Sequence, residues 1–229
     1  AAGNWTGTDT ANVTGTGTGT LTVTATGITA FNLIQVTDSG NNTLLTFANS
    51  GANAYNDAFD VNLNDAGSDV TFNGTSSFGA NTLTVAANGQ INLNGTVSTS
   101  NVALNLNSTL LVTGNSQLSA GSGQITLGAA TTLGSGNALT LGTGGSGGVS
   151  ATSISGTAGG LAEDLTINVT GTVGVTGAVA DISTLTVTQS GGTTFSSTVN
   201  AATVTLTDTT GAIAFQGNVT ATTLNTAVQ

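Results

Sequence analysis

Lysine, arginine, histidine, proline, cysteine and methionine are all absent from this 229-residue chain. Each absence narrows what the protein can be. Nucleic-acid binding depends on Lys and Arg neutralising phosphates, so that class is excluded. Anionic membrane surfaces are disfavoured for the same reason, and no apolar run approaches the length of a membrane span, so no membrane insertion is expected. Without His, Cys or Lys, catalysis is left with carboxylates, hydroxyls and Tyr55. The lack of Cys removes any disulfide framework and any inference of compartment from cysteine pairing. Trypsin-like proteases find no basic residue. The missing Met points to a processed chain or a segment of a longer one, and Ala1-Ala2-Gly3 is compatible with the small residues beside a signal-peptidase cut.

Charge is scarce as well. Only 4% of residues are charged, where a soluble protein has about a quarter. All of it is negative, giving −10 from Asp9, Asp38, Asp57, Asp60, Asp65, Asp69, Glu163, Asp164, Asp181 and Asp208. Such low complexity can mean disorder, but disorder requires low hydrophobicity together with high charge. Here 38% of residues are hydrophobic, the mean hydropathy is +0.26, and Val, Leu and Ile are regularly placed. The chain is expected to fold. A composition free of sulfur and of basic nitrogen is cheap to secrete in bulk, which points to an abundant extracellular product.

What is present is a repeat. Val70, Ile91, Val112, Leu133 and Ile154 fall 21 residues apart, as do Leu83, Leu104 and Ile125, then Val85, Leu106 and Leu127, and also Val97, Leu118 and Leu139. Later the step shortens to 20 in Val175, Phe195 and Phe215 and in Val179, Val199 and Val219, and to 19 from Leu185 to Val204. Within each repeat the apolar residues come in pairs at i and i+2, the period of a strand with one buried face. Thr dominates around them and suits a pleated surface. Helix is unsupported, because Gly and Thr are dense and no 3.6-residue periodicity is sustained.

Short strands separated by Gly, Asn and Ser turns every 19 to 21 residues predict an all-β fold, a parallel β-solenoid with about three strands per coil. About eleven coils at the strand spacing would make a rod roughly 50 Å long. A coil cannot bury its two to six inward side chains alone, so neighbouring coils stabilise one another. Asn73-Gly74 and Asn94-Gly95 recur 21 apart, which predicts turn positions with hydrogen-bonded Asn ladders. Near absence of charge fits stacking, since a charge repeated in every coil would repel itself.

Two regions are expected. Residues 1–65 are atypical N-terminal coils or a cap, with strict Thr alternation from Thr14 to Thr26, larger residues (Phe31, Phe47, Tyr55, Phe59) and an insertion around Ala48 to Asp60. Residues 66–229 are the regular solenoid. The run from Gly211 to Leu224 (GAIAFQGNVTATTL) resembles coils of filamentous-haemagglutinin-type and autotransporter-type bacterial surface proteins. The likeness covers residues 61 to 229 and is one of architecture and composition, without a specific motif. It implies a right-handed β-helix, secretion and a role as stalk, adhesin or fibre. This chain departs from the family in lacking any basic residue, so receptor binding through Arg or Lys patches does not carry over.

The carboxylates are the candidate sites. Asp57/Asp60, Asp65/Asp69 and Glu163/Asp164 form the local clusters, and a glycosidase needs two carboxylates set across a sugar. They lie among Gly, Asn and Ala with little aromatic surface nearby, so the expectation is solvated loop carboxylates and no enzyme. Calcium is the better role for Asp57, Asp60, Asp65 and Asp69, because Asn56, Asn62 and Asn64 add oxygens to theirs and Ca²⁺ takes six to eight oxygen ligands. Neither the EF-hand spacing nor the Gly-Gly-x-Gly-x-Asp repeat is present. Thr-x-Thr pairs suggest an ice-binding face, but stepping 21 residues from Thr84 gives Asn105, Thr126 and Gly147, a broken ladder.

Two functions follow as expectations. One is a non-enzymatic extracellular structural protein that self-associates end to end into a surface filament, sheath or layer. The other is a stalk or binding segment of a larger secreted adhesin, with a host or neighbouring-cell surface as partner.

Overall fold

The computed structural model describes residues 67–227 continuously and, before them, the strands Ala11–Gly15, Thr20–Thr24, Leu33–Asp38, Leu44–Ala48, Asn53–Ala54 and Ala58–Leu63. Among the described residues there is no helix, and strands pair in parallel with strands one coil away. The fold is a parallel β-solenoid.

Each coil has three faces. The first is a ten-stranded sheet running from Ala11–Gly15 to Ile213–Phe215. The other two belong to one fifteen-stranded sheet. Strands such as Asp69–Ser77 and Gln90–Ser98 run through both of these faces without a break. Along Asp69–Ser77 the inward residues are Val70 and Phe72, then, four residues on, Ser76. The inward position left unfilled between them is Gly74 (φ +88°), stacked beneath Gly95 (φ +137°). A Cβ on Gly95 would collide with the Gly74 carbonyl oxygen, and only glycine takes such a backbone at low cost.

The inward residues form one continuous core. Leu83, Val85, Ile91, Leu93, Leu104 and Leu106 are all fully buried, with their equivalents above and below. Phe72 meets Phe78 edge to face at 6.4 Å, and Phe195 stacks on Phe215 in the next coil. At about 25 cal/mol per Å² of apolar surface removed from water, this column is the main stabilising term.

Corners are closed by side chains that replace the ladder. Asp69 Oδ1 accepts the Gln90 amide (2.7 Å), Asn101 Oδ1 the Ser122 amide (3.0 Å) and Asn115 Oδ1 the Ala138 amide (3.0 Å). In each case the polar residue serves a backbone donor one coil further on. The expected amide ladder is present where Asn94 Nδ2 donates to Asn73 Oδ1 at 3.1 Å, and Gln189 Nε2 donates to Asn168 Oδ1 at 2.8 Å.

Coil length varies more than the sequence repeat suggests. Paired residues are 19 apart at Ile91/Leu110 and 26 apart at Thr140/Thr166. The extra residues lie in a Gly-rich register shift between Leu141 and Gly145 and in the connections 146–148 and 156–163. About seven turns occupy residues 67–227, and three first-face strands precede them. The longer coils use up the chain that a strict 21-residue period would make into eleven.

Register also differs from the arithmetic series. Ile91 pairs with Leu110, and Val112 pairs with Leu93 and Leu133. Ile154 pairs with Thr131 rather than Leu133, and Leu118 with Leu141 rather than Leu139. A slip of two residues keeps every side chain on its face of the sheet, so the apolar alternation alone does not distinguish the registers. The series through Leu83, Leu104 and Ile125 and through Val179, Val199 and Val219 match the observed pairing.

The N-terminal strands join the same stack. Val13, Val36, Val61 and Val85 occupy one column, and Val23, Phe47 and Phe72 another. Asn53–Ala54, within the span read as an insertion, pairs with Ser76–Ser77 on the third face.

Candidate functional site

Of the four aspartates read as a calcium site, Asp57 and Asp65 lie outside the described residues. Asp60 belongs to the first-face strand Ala58–Leu63, in register with Thr84. Asp69 opens a second-face strand, where its carboxylate caps the Gln90 amide. The two are thus on different faces, and among the described residues no three acidic side chains converge.

Glu163 and Asp164 part company. Asp164 is exposed, as expected of a loop carboxylate, whereas Glu163 is 0% exposed. The reason is local. Glu163, Leu165, Ile167 and Val169 are alternate residues, all buried, at the start of and along the strand Asp164–Val169. Glu163 therefore takes the inward phase of a strand while Asp164 takes the outward one. The two carboxylates face opposite ways and do not flank a common substrate position. The alternation from residue 163 to 169 is visible in the sequence and was the signal for this burial.

Two other surfaces stand out. The coil that ends at Ala227 leaves inward-phase residues uncovered. Val219 is 41% and Leu224 58% exposed, whereas Val199 and Val204, their partners one coil earlier, are 1% and 0%. Leu206, Ile213 and Phe215 pack only partly against the core, and an open depression of about 330 Å³ lies among Leu206, Ile213, Thr226 and Ala227.

The third face carries an outward column of Thr75, Thr96, Gln117, Thr140, Thr166, Thr186, Thr205 and Asn225, one per coil in unbroken register. A second column of Ser77, Ser98 and Ser119 runs beside it, and Ser119 Oγ lies 3.0 Å from Thr143 Oγ1. A constant 21-residue step misses the first column because its members are 19 to 26 apart. The first-face column through Thr84 is mixed, continuing with Asn105, Thr126, Ser150 and Gly174.

No protein-family model, curated protein or solved structure matches the chain. Its function is therefore argued from its own residues.

Proposed function

We propose that this chain is a non-enzymatic extracellular structural protein, a self-associating β-solenoid subunit of a surface filament, sheath or layer. The observation that carries the reading is the stack itself: from Ala11–Gly15 to Ile213–Phe215 each coil lies in parallel register on the next, with apolar residues inward and Thr, Ser and Asn outward. Each coil presents parallel strand edges to its neighbours, and a strand edge is a template for another chain. The interface needed is the one already repeated through the molecule, one coil laid in register on the next. A copy that adds head to tail makes a heterologous contact that does not close, which generates filaments. Residues 209–227 carry no charged side chain, so the repulsion from the net charge of −10 is weakest at the coil they form.

Two further features support the non-enzymatic part. The chain has no His, Cys or Lys, and the one buried carboxylate among the described residues points away from its acidic neighbour. The architecture is also that of the β-helical surface proteins which the repeat resembles, where secretion and a fibre or stalk role are the rule. The competing reading within that class is a stalk segment of a larger adhesin, facing a host or neighbouring cell. There the next coil of the same polypeptide would cover Val219 and Leu224.

Negative-stain electron microscopy and sedimentation of the 229-residue chain separate the two. Self-association gives filaments with an axial repeat near one solenoid length, roughly 50 Å, and Leu224→Asp abolishes them while the monomer stays folded by circular dichroism. Isolated rods at all concentrations would overturn the subunit reading and favour the stalk.

A further inference from the structure

Glu163 is the only glutamate in a chain with no cationic side chain. It is fully buried, and its Oε1 has no hydrogen-bond partner among the protein atoms. Its Oε2 accepts the neighbouring Ala162 amide at 3.0 Å. Burying a charge without a partner is among the costliest things a fold can do. A buried polar atom left unsatisfied calls for an explanation, and an ion is one; the other such atoms among the described residues, on Ser76, Thr131 and Thr152, are all neutral hydroxyls. The chain has no cationic side chain, so a counter-charge to an ionised Glu163 carboxylate would have to come from outside.

The surroundings are oxygen-rich. Oε2 and the Asp181 carbonyl oxygen flank the same glycine, Gly156: a Cβ there would meet Oε2 at 2.7 Å and collide with the carbonyl. The Glu163 carbonyl accepts the Ser183 amide at 2.7 Å, which ties the carboxylate's own backbone to the next coil. Asp181 lies in the same pair of coils, whereas the Asp164 carboxylate is exposed on the outward side of the strand and is not part of this set. Three non-glycine residues among those described have positive φ, and two of them, Leu161 (+46°) and Asp181 (+55°), flank this position. The cover is the loop 157–162, exposed throughout, with Gly159 and Gly160 at its tip and a single internal turn bond from the Gly160 amide to the Thr157 carbonyl.

We infer that Glu163 anchors a divalent cation site of the calcium type, closed by the loop 157–162. A hard cation that takes six to eight oxygens from carboxylates, backbone carbonyls and water suits this set. Thiolate- or imidazole-seeking metals do not, since the chain has neither ligand. The Glu163 carboxylate is the first ligand, the Asp181 carbonyl, which shares the Gly156 position with Oε2, the second, and the glycine-containing loop supplies carbonyls by closing over the ion. The site would pin the longest turn of the central coils and hold Asp181 in its left-handed conformation. It is separate from the self-association surface and from the strands that carry Asp60 and Asp69.

The single glutamate makes the test direct. The chain is labelled with ¹³C at the glutamate carboxyl, giving one resonance, and titrated with CaCl₂ after dialysis against a chelator. The expected result is a saturable shift of that resonance, a calcium-dependent rise in melting temperature, and loss of that rise in Glu163→Gln. Asp57→Asn/Asp65→Asn retains it. An unmoved glutamate resonance in the wild-type protein overturns the inference without recourse to any variant. So does a melting-temperature rise that survives Glu163→Gln, which would place the ion elsewhere.

Discussion

Phe195 and Phe215 stack one coil apart with ring centroids 5.2 Å from each other and ring planes 9° from parallel. The pair forms because their strands are in register, Thr193 to Ile213 and Phe195 to Phe215. The two rings nevertheless differ in environment. Phe195 is 1% exposed, with coils on both sides, whereas Phe215 is only partly buried.

That asymmetry predicts unequal costs for the same truncation. Phe195→Ala should destabilise by about 3–5 kcal/mol, the usual range for an aromatic removed from a packed core. Phe215→Ala should cost roughly half as much in the monomer, because part of its surface is already in water. Urea unfolding midpoints of the two variants check this. In assembled material the gap should close, since a further coil would bury Phe215 as fully as Phe195.

Two buried hydroxyls offer an opposed pair of outcomes. Ser108 Oγ accepts the Ala87 amide at 2.6 Å and donates to the Ala87 carbonyl at 2.7 Å, so it does the work of a strand neighbour at that corner. Thr131 sits on the inward phase between Leu110 and Ile154, and its Oγ1 has no partner. Ser108→Ala leaves a backbone pair unsatisfied and should cost about 1–3 kcal/mol. Thr131→Val keeps the shape and removes a desolvated hydroxyl, so it should stabilise by about 1–2 kcal/mol. Thermal denaturation of both variants decides it: melting temperatures that move in the same direction would contradict the assignment.

Much of the architecture is legible in the residues, for an identifiable reason. Pairs such as Leu83/Val85 and Ile91/Leu93 declare the strand period, and their recurrence declares the stack. Register is harder to read. Ile91 could sit beside Leu110 or Val112, because both are apolar and both are inward, and only the lengths of the intervening turns choose. Those turns are made of Gly, Asn and Ser, which tolerate insertion without leaving a hydrophobic trace. The same variation hid the Thr column of the third face. Glu163 is hard to read for a different reason. A charged residue beside Gly159, Gly160 and Asp164 looks like loop, and its charge outweighs its place in the alternation with Leu165 and Ile167.

The Thr column gives the most direct test of why the chain carries so little charge. Thr166, Thr186 and Thr205 are consecutive members of one outward ladder, with backbones about 4.8 Å apart. One Glu at Thr186 is a surface substitution flanked by neutral residues and should change stability by no more than about 0.5 kcal/mol. Glu at all three positions creates two adjacent like-charge pairs. At this separation each is worth about 1 kcal/mol in water, so the triple variant should lose about 2 kcal/mol beyond the sum of its single changes. Salt should restore most of the loss, because the Debye length falls to about 3 Å at 1 M. Replacing only the central residue by Lys, in Thr166→Glu/Thr186→Lys/Thr205→Glu, reverses the sign of both pairs and should recover or exceed wild-type stability at low salt. Urea midpoints at low and high ionic strength distinguish this from β-propensity, which would penalise both triple variants alike and respond little to salt. If the all-Glu variant is as stable as the single one at low salt, self-repulsion along the stack is not what keeps these ladders neutral.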